Sequence, residues 1–144
     1  MNIAIREARA GDEAEIVKLV LELSKSMGEQ SPITESYVVS YLSMPGNGVL
    51  LAEAEGKTLG MLSYSVRHNL YHAAGSCLVE ELIVKEAERG KGVGSALLSS
   101  LLEQMQTMGC AEVSVTTMPD NAHAIEFYKS HGMTDEAVFL EKHF

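Results

Sequence analysis

The chain has 144 residues, with 20 Asp+Glu against 11 Lys+Arg and a formal net charge of −9. That length suits one domain with a proper core, so residues 1–144 are taken as a single domain. The acidic balance excludes nucleic acid as the main partner, because phosphate binding needs basic patches; a cationic partner suits it, and so does solubility alone. No run approaches the roughly 18 apolar residues of a membrane span. No basic segment followed by a long apolar stretch opens the chain, so a cytoplasmic location without membrane contact is expected. Cys77 and Cys110 have no metal-type spacing and are read as reduced structural thiols.

Ile3 to Glu7 alternates apolar and polar residues and predicts a first strand. Asp12 with Glu15 forms a capping-box pattern, and the helix it opens should reach about Lys25. Thr34, followed by Glu35, caps a second helix that ends near Met44-Pro45-Gly46. Val49 to Ala54 and Leu59 to Val66 form an antiparallel hairpin across Glu55-Gly56-Lys57. Residues 67–76 are expected to be a loop, and Leu78 to Val84 a strand. Gly92 to Met108 carries Val93, Leu97, Leu101 and Met105 on one helical stripe, which is a packing surface, and Gly109 ends it. Glu112 to Thr116 is another strand. Asp120 or Asn121 caps a helix to about His131, and Ala137 to Lys142 reads as a last strand. The order implies a mixed sheet covered by helices.

One stretch carries chemistry. Glu80-Glu81-Leu82-Ile83-Val84 leads through a charged turn into Arg89-Gly90-Lys91-Gly92-Val93-Gly94-Ser95 and the long helix. Glycines let backbone N–H groups approach a ligand, and the first-turn amides of a helix have no internal partner. With the helix dipole and the charges of Arg89 and Lys91, this is a site for phosphate or pyrophosphate. It is not a P-loop, which needs G-x-x-x-x-G-K-S/T, nor a dinucleotide fingerprint after a first strand.

The glycine run resembles the acetyl-CoA signature of the GNAT N-acetyltransferase superfamily, (R/Q)-x-x-G-x-(G/A), here Arg89-Gly90-Lys91-Gly92-Val93-Gly94. Asn121 to Met133 is similar to that family's N-x-x-A-x-x-F-Y-x-x-x-G-F element, with Met133 at the final Phe. The resemblance implies an α/β (α+β) fold: a mixed, mostly antiparallel central sheet of about six or seven strands, flanked by four helices. It also implies acetyl-CoA as cosubstrate and transfer of the acetyl group to an amine, and, from habit in the family, a homodimer.

By that resemblance the pantetheine arm bonds to the backbone of Leu82, Ile83 and Val84. The pyrophosphate lies on Arg89, Gly90, Lys91, Gly92, Val93, Gly94 and Ser95, and Asn121 contacts the cofactor arm. Tyr128 matches the family tyrosine near the CoA sulfur and is the candidate acid. An alkyl ammonium with a pKa near 10.4 must also lose a proton before attack. Glu80 and Glu81 are the candidate bases; being adjacent in a strand, they should point to opposite faces, with Glu80 preferred. Arg67, Tyr71 and His72 precede the core strand, where the family lines its acceptor pocket. His68 lies beside them, and His123, His131 and His143 are read as surface groups. No cluster has metal-ligand spacing, so no metal is expected.

The leading reading is an acyltransferase acting on a small cationic amine by direct attack in a ternary complex. The alternatives are a protein lysine or N-terminal acetyltransferase, a non-catalytic CoA-binding regulatory module, and a different phosphate ligand at the same loop.

Overall fold

The computed structural model describes all 144 residues. Its elements are β1 (Ala4–Glu7), α1 (Glu13–Ser26), α2 (Glu35–Ser43), β2 (Asn47–Ala54), β3 (Lys57–Asn69), β4 (Ala74–Val84), α3 (Val93–Met108), β5 (Glu112–Val115) and α4 (Ala122–Ser130). The strands form one sheet in the order β1-β2-β3-β4-β5. Neighbours are antiparallel up to β4, and β5 joins β4 in parallel. A parallel neighbour cannot be reached by a tight turn, and α3 supplies the crossover. No helix is long and apolar enough to cross a membrane.

Each face of the sheet is closed by helices. Ile16 and Leu19 of α1 and Val38 of α2 pack on Val49, Leu51, Met61 and Ile83. On the opposite face Val93, Leu97, Leu98, Leu101 and Met105 of α3 pack on Leu50, Ala52, Leu62 and Val79. The helical stripe expected from the sequence is therefore the α3 packing face. Leu97, Leu98 and Leu101 are fully buried, each such side chain contributing roughly 1.5–3 kcal/mol by leaving water. Gly109 closes α3 in the left-handed region at φ 84°. Thr34 caps α2 by accepting the Tyr37 N–H at 3.1 Å.

Three expectations change. The sheet has five strands and not six or seven, because residues 137–142 pair with nothing. Val138 and Leu140 stand 86% and 88% exposed. Alternation specifies a strand only where an edge and a face to bury accept it. The expected loop at 67–76 is mostly ladder: β3 and β4 stay paired out to Asn69↔Ala74, leaving a short turn. The capping box at α1 does not form. Asp12 stands at the N-cap, but its carboxylate is taken at 2.9 Å by both terminal nitrogens of Arg6, whose Nε pairs with Glu53 at 2.6 Å. Glu15 pairs with Lys85 at 2.8 Å instead. A bidentate guanidinium bond is stronger than a neutral cap and wins the carboxylate.

Candidate active site

The ladder between β3 and β4 slips by one residue at the middle of β4. Ser63 pairs with Glu81 and Tyr64 with Val79, so Glu80 is left without a partner. An extra residue in one strand reverses the side-chain alternation beyond it. Cys77 and Val79 belong to the α3 face, whereas Ile83, an even number of residues further on, belongs to the α1/α2 face. Glu81 shares the face of Ile83, and Glu80, next to Val79, shares it too. The expectation that the two carboxylates point to opposite faces is thus overturned by the bulge.

Both glutamates border a hollow of about 540 Å³ between α1, α2 and the sheet. Its walls are mostly apolar and aromatic, with Ile16, Val20, Ile33, Tyr37, Tyr41 and Met61 among them, and Ser31, Thr34 and Ser63 add hydroxyls. Ser63 holds Glu81 twice: its Oγ accepts the Glu81 N–H at 3.0 Å, and its hydroxyl donates to the Glu81 carboxylate. Ser65 donates to Glu80 at 2.8 Å. Burial pushes the Glu81 carboxyl above the ordinary carboxylate range; the Ser63 bond offsets part of this, and the nearby Glu80 charge adds to it. Glu80 is exposed.

The strands β4 and β5 part company one residue before the glutamates. Their pairing ends at Val79↔Val115, while β4 runs on to Val84. From Glu80 onward the β5 side of β4 therefore has no strand beside it. Leu82, Ile83 and Val84 border a cleft of about 1260 Å³ that continues over the glycine loop. At its far end Gly90 and Gly92 adopt φ 76° and 84°, a region that L side chains rarely enter. Gly92 stands at the N-cap of α3 with no side chain capping the helix, so the first-turn amides remain open. Gly94 serves packing: a Cβ there would touch the Phe127 ring at 3.5 Å, so it lets α4 sit against the start of α3.

Of the sequence-derived cofactor residues, Arg89, Gly90, Gly92, Val93, Gly94 and Ser95 border this cleft. Arg89 Nε donates to the Val84 carbonyl at 3.3 Å, tying the loop to the strand end. Lys91 lies outside the lining and pairs with Glu88 at 3.2 Å. Asn121 is also outside it; its side chain caps α4 by accepting the Ala124 N–H at 3.1 Å. Tyr128 borders the cleft, and burial raises its phenol. His131 is not a bare surface group: Nε2 lies 3.2 Å from Ser95 Oγ and its ring packs on Phe127, joining α4 to the start of α3.

Arg67, Tyr71 and His72 are not brought to either hollow. They sit at the β3–β4 turn, with Tyr71 92% exposed and His72 3.8 Å from Glu112. Six residues of strand separate that turn from Glu80, about 20 Å. Conversely, Lys18 and Lys25 of α1 border the large cleft, and Tyr37, Tyr41, Ser63 and Ser65 belong to the small hollow or its glutamates; none was singled out from the sequence. They come from separate elements and share no local motif. Cys77 is buried, and its thiol is pushed up to about 12, which removes it as a nucleophile.

An open strand edge beside an uncapped helix start is what a donor with two amides and a pyrophosphate requires. Residues 16–133 match the model of the acetyltransferase (GNAT) family, and the chain belongs to that family. The thialysine N-epsilon-acetyltransferase of Sus scrofa is 27% identical, over 93% of this chain and 85% of its own. The aminoalkylphosphonate N-acetyltransferase of Salmonella typhimurium is 27% identical, over 89% and 82%. A solved transcriptional regulator from Bacillus halodurans C-125 superposes with a TM-score of 0.85 at 26% identity, over 99% of this chain and 100% of that one. The chain is an acyltransferase, related to N-acetyltransferases of amines. Acetyl-CoA is the cosubstrate of its family.

Proposed function

We propose that this chain moves the acetyl group of acetyl-CoA to the primary amine of a small cationic acceptor, by direct attack in a ternary complex. The observation that carries this reading is the bulge at Glu80. It sets two carboxylates in an apolar hollow immediately before the open stretch Leu82–Val84. A hollow of about 540 Å³ is a small-molecule size, which supports a small acceptor over a protein chain.

In this reading Glu81 takes the proton of the acceptor ammonium, directly or through water. Its burial suits it, since a carboxylate with a raised pKa is the stronger base. Glu80 holds the cation at the entrance. Acetyl-CoA supplies the acyl group as a thioester, laid along the open edge of β4. Backbone N–H groups at Leu82–Val84 donate to the carbonyl oxygen as charge grows on it. The amine nitrogen forms the C–N bond, the C–S bond breaks, the second proton of that nitrogen passes through water to the departing thiolate, and Tyr128 donates a hydrogen bond to the leaving sulfur. Full transfer from a phenol near 10 to a thiolate near 8.5 is uphill, and burial of Tyr128 makes it more so. Its main service is therefore the hydrogen bond as the sulfur leaves.

The relatives named for thialysine and aminoalkylphosphonate support a small amine as acceptor. A homodimer belongs to the same reading: the outer edge of β5 carries no strand, and Val138, Phe139 and Leu140 of the tail are exposed. The test of the activity is release of free thiol from acetyl-CoA with a panel of amines, with the acetylated product confirmed by mass. Thiol release that no amine accelerates would refute the acceptor assignment.

A further inference from the structure

The two hollows along β4 differ in charge. Every Lys and Arg that borders either one lies on the larger: Lys18, Lys25, Lys85 and Arg89, together with three glutamates. The smaller has Glu80 and Glu81 and no Lys, Arg or His. We infer that the acceptor is an amine without any acid group: an alkyl or arylalkyl amine whose only charges are ammonium groups. This rests on the proposed acetyl transfer and narrows its substrate.

Three features of the small hollow carry it. Its charge is wholly negative, so an ammonium finds a partner there and a carboxylate, phosphate or phosphonate meets two like charges. The hydroxyls beside the glutamates are committed, whereas Ser31, Thr34 and Tyr37 line the hollow as well. Tyr41 donates to the Tyr64 carbonyl at 2.7 Å, Ser63 to Glu81, and Ser65, behind the hollow, to Glu80. A hydroxyl has one proton to give, so these three cannot also serve an anion. The rest of its wall is mostly apolar, with Ile16, Val20, Ile33 and Met61 offering contact to a hydrocarbon stem. An acid group carried into that wall would be buried without a partner, at high cost.

Matched pairs test this, each differing by one acid group: cadaverine and lysine, putrescine and ornithine, propylamine and aminopropylphosphonate. Each is assayed with saturating acetyl-CoA on the intact protein, with thiol release as readout. The acid-free member is expected to have the higher kcat/KM by at least about 100-fold, from like-charge repulsion and an unpaired buried charge. A Tyr37→Lys variant places a cation on the exposed first turn of α2, beside the hollow. It is expected to raise kcat/KM for the acid-bearing members and to close the ratio by about tenfold. Equal or reversed preference in the wild type overturns the inference and leaves acetyl transfer intact. An unchanged ratio in the variant overturns the charge explanation. Absence of turnover with all six amines, while acetyl-CoA still binds, overturns the inference and the acceptor assignment beneath it.

Discussion

Replacing Glu81 by Gln keeps the size and the Ser63 contact of the side chain and removes its ability to take a proton. A positioned general base contributes about 10²–10⁴-fold, which is roughly 3–5 kcal/mol of barrier. kcat/KM for the acceptor should fall by that amount at neutral pH, and the acid limb of the pH–rate profile should disappear. Stability should move the other way. The Glu81 carboxyl is held above its ordinary value, first by burial. The folded protein therefore binds that proton more tightly than the unfolded chain, whose carboxyl titrates near 4.3. As pH rises from about 4.3 through the raised folded value, the wild type loses stability, and above that window the cost is complete. Gln carries no such cost. Glu81→Gln should melt higher than wild type at pH 7.5, and the difference should vanish below about pH 4. Initial rates by thiol release and thermal melts at both pH values read the two effects. Activity within about tenfold of wild type would refute Glu81 as base. A variant melting lower at pH 7.5 would refute the claim that burying this charge costs stability.

Gly92→Glu adds a Cβ to a residue at φ 84° and a carboxylate at the open amides of α3, so CoA affinity should fall at least about tenfold, or 1.4 kcal/mol, by calorimetry; unchanged affinity would place the pyrophosphate elsewhere. Tyr128→Phe keeps the ring beside Phe127 and removes the hydroxyl, so kcat should fall about 100-fold with CoA binding unchanged; an unaltered kcat would remove Tyr128 from the chemistry. Truncation after Glu136 removes the exposed Val138, Phe139 and Leu140, and should convert a dimer to a monomer in sedimentation. An intact chain that sediments as a monomer would refute the dimer.

The glycine loop and open helix start of the proposed phosphate cradle were legible because they are local. Their parts lie within a few residues, and the open amides, the left-handed glycines and the helix start follow from short-range backbone geometry. The Thr34 cap, the Gly109 stop and the buried stripe of α3 were legible for the same reason. What failed in the sequence reading depended on partners. Asp12 had the right neighbours for a capping box, but Arg6 on the adjacent strand claimed its carboxylate. Residues 137–142 had the alternation of a strand and no edge to complete it.

The acceptor side shows the division most plainly. The sequence alone determined that two adjacent glutamates lie on an apolar strand, and that a glycine loop and helix start follow it. Only the tertiary structure decided which way those glutamates face. The slip that leaves Glu80 unpaired exists in the register between β3 and β4, set by residues 15 to 18 positions apart, where Ser65 and Ser63 meet Glu80 and Glu81. Side-chain alternation is a property of one strand, and a bulge is a property of two, so no count along a single strand can reveal it.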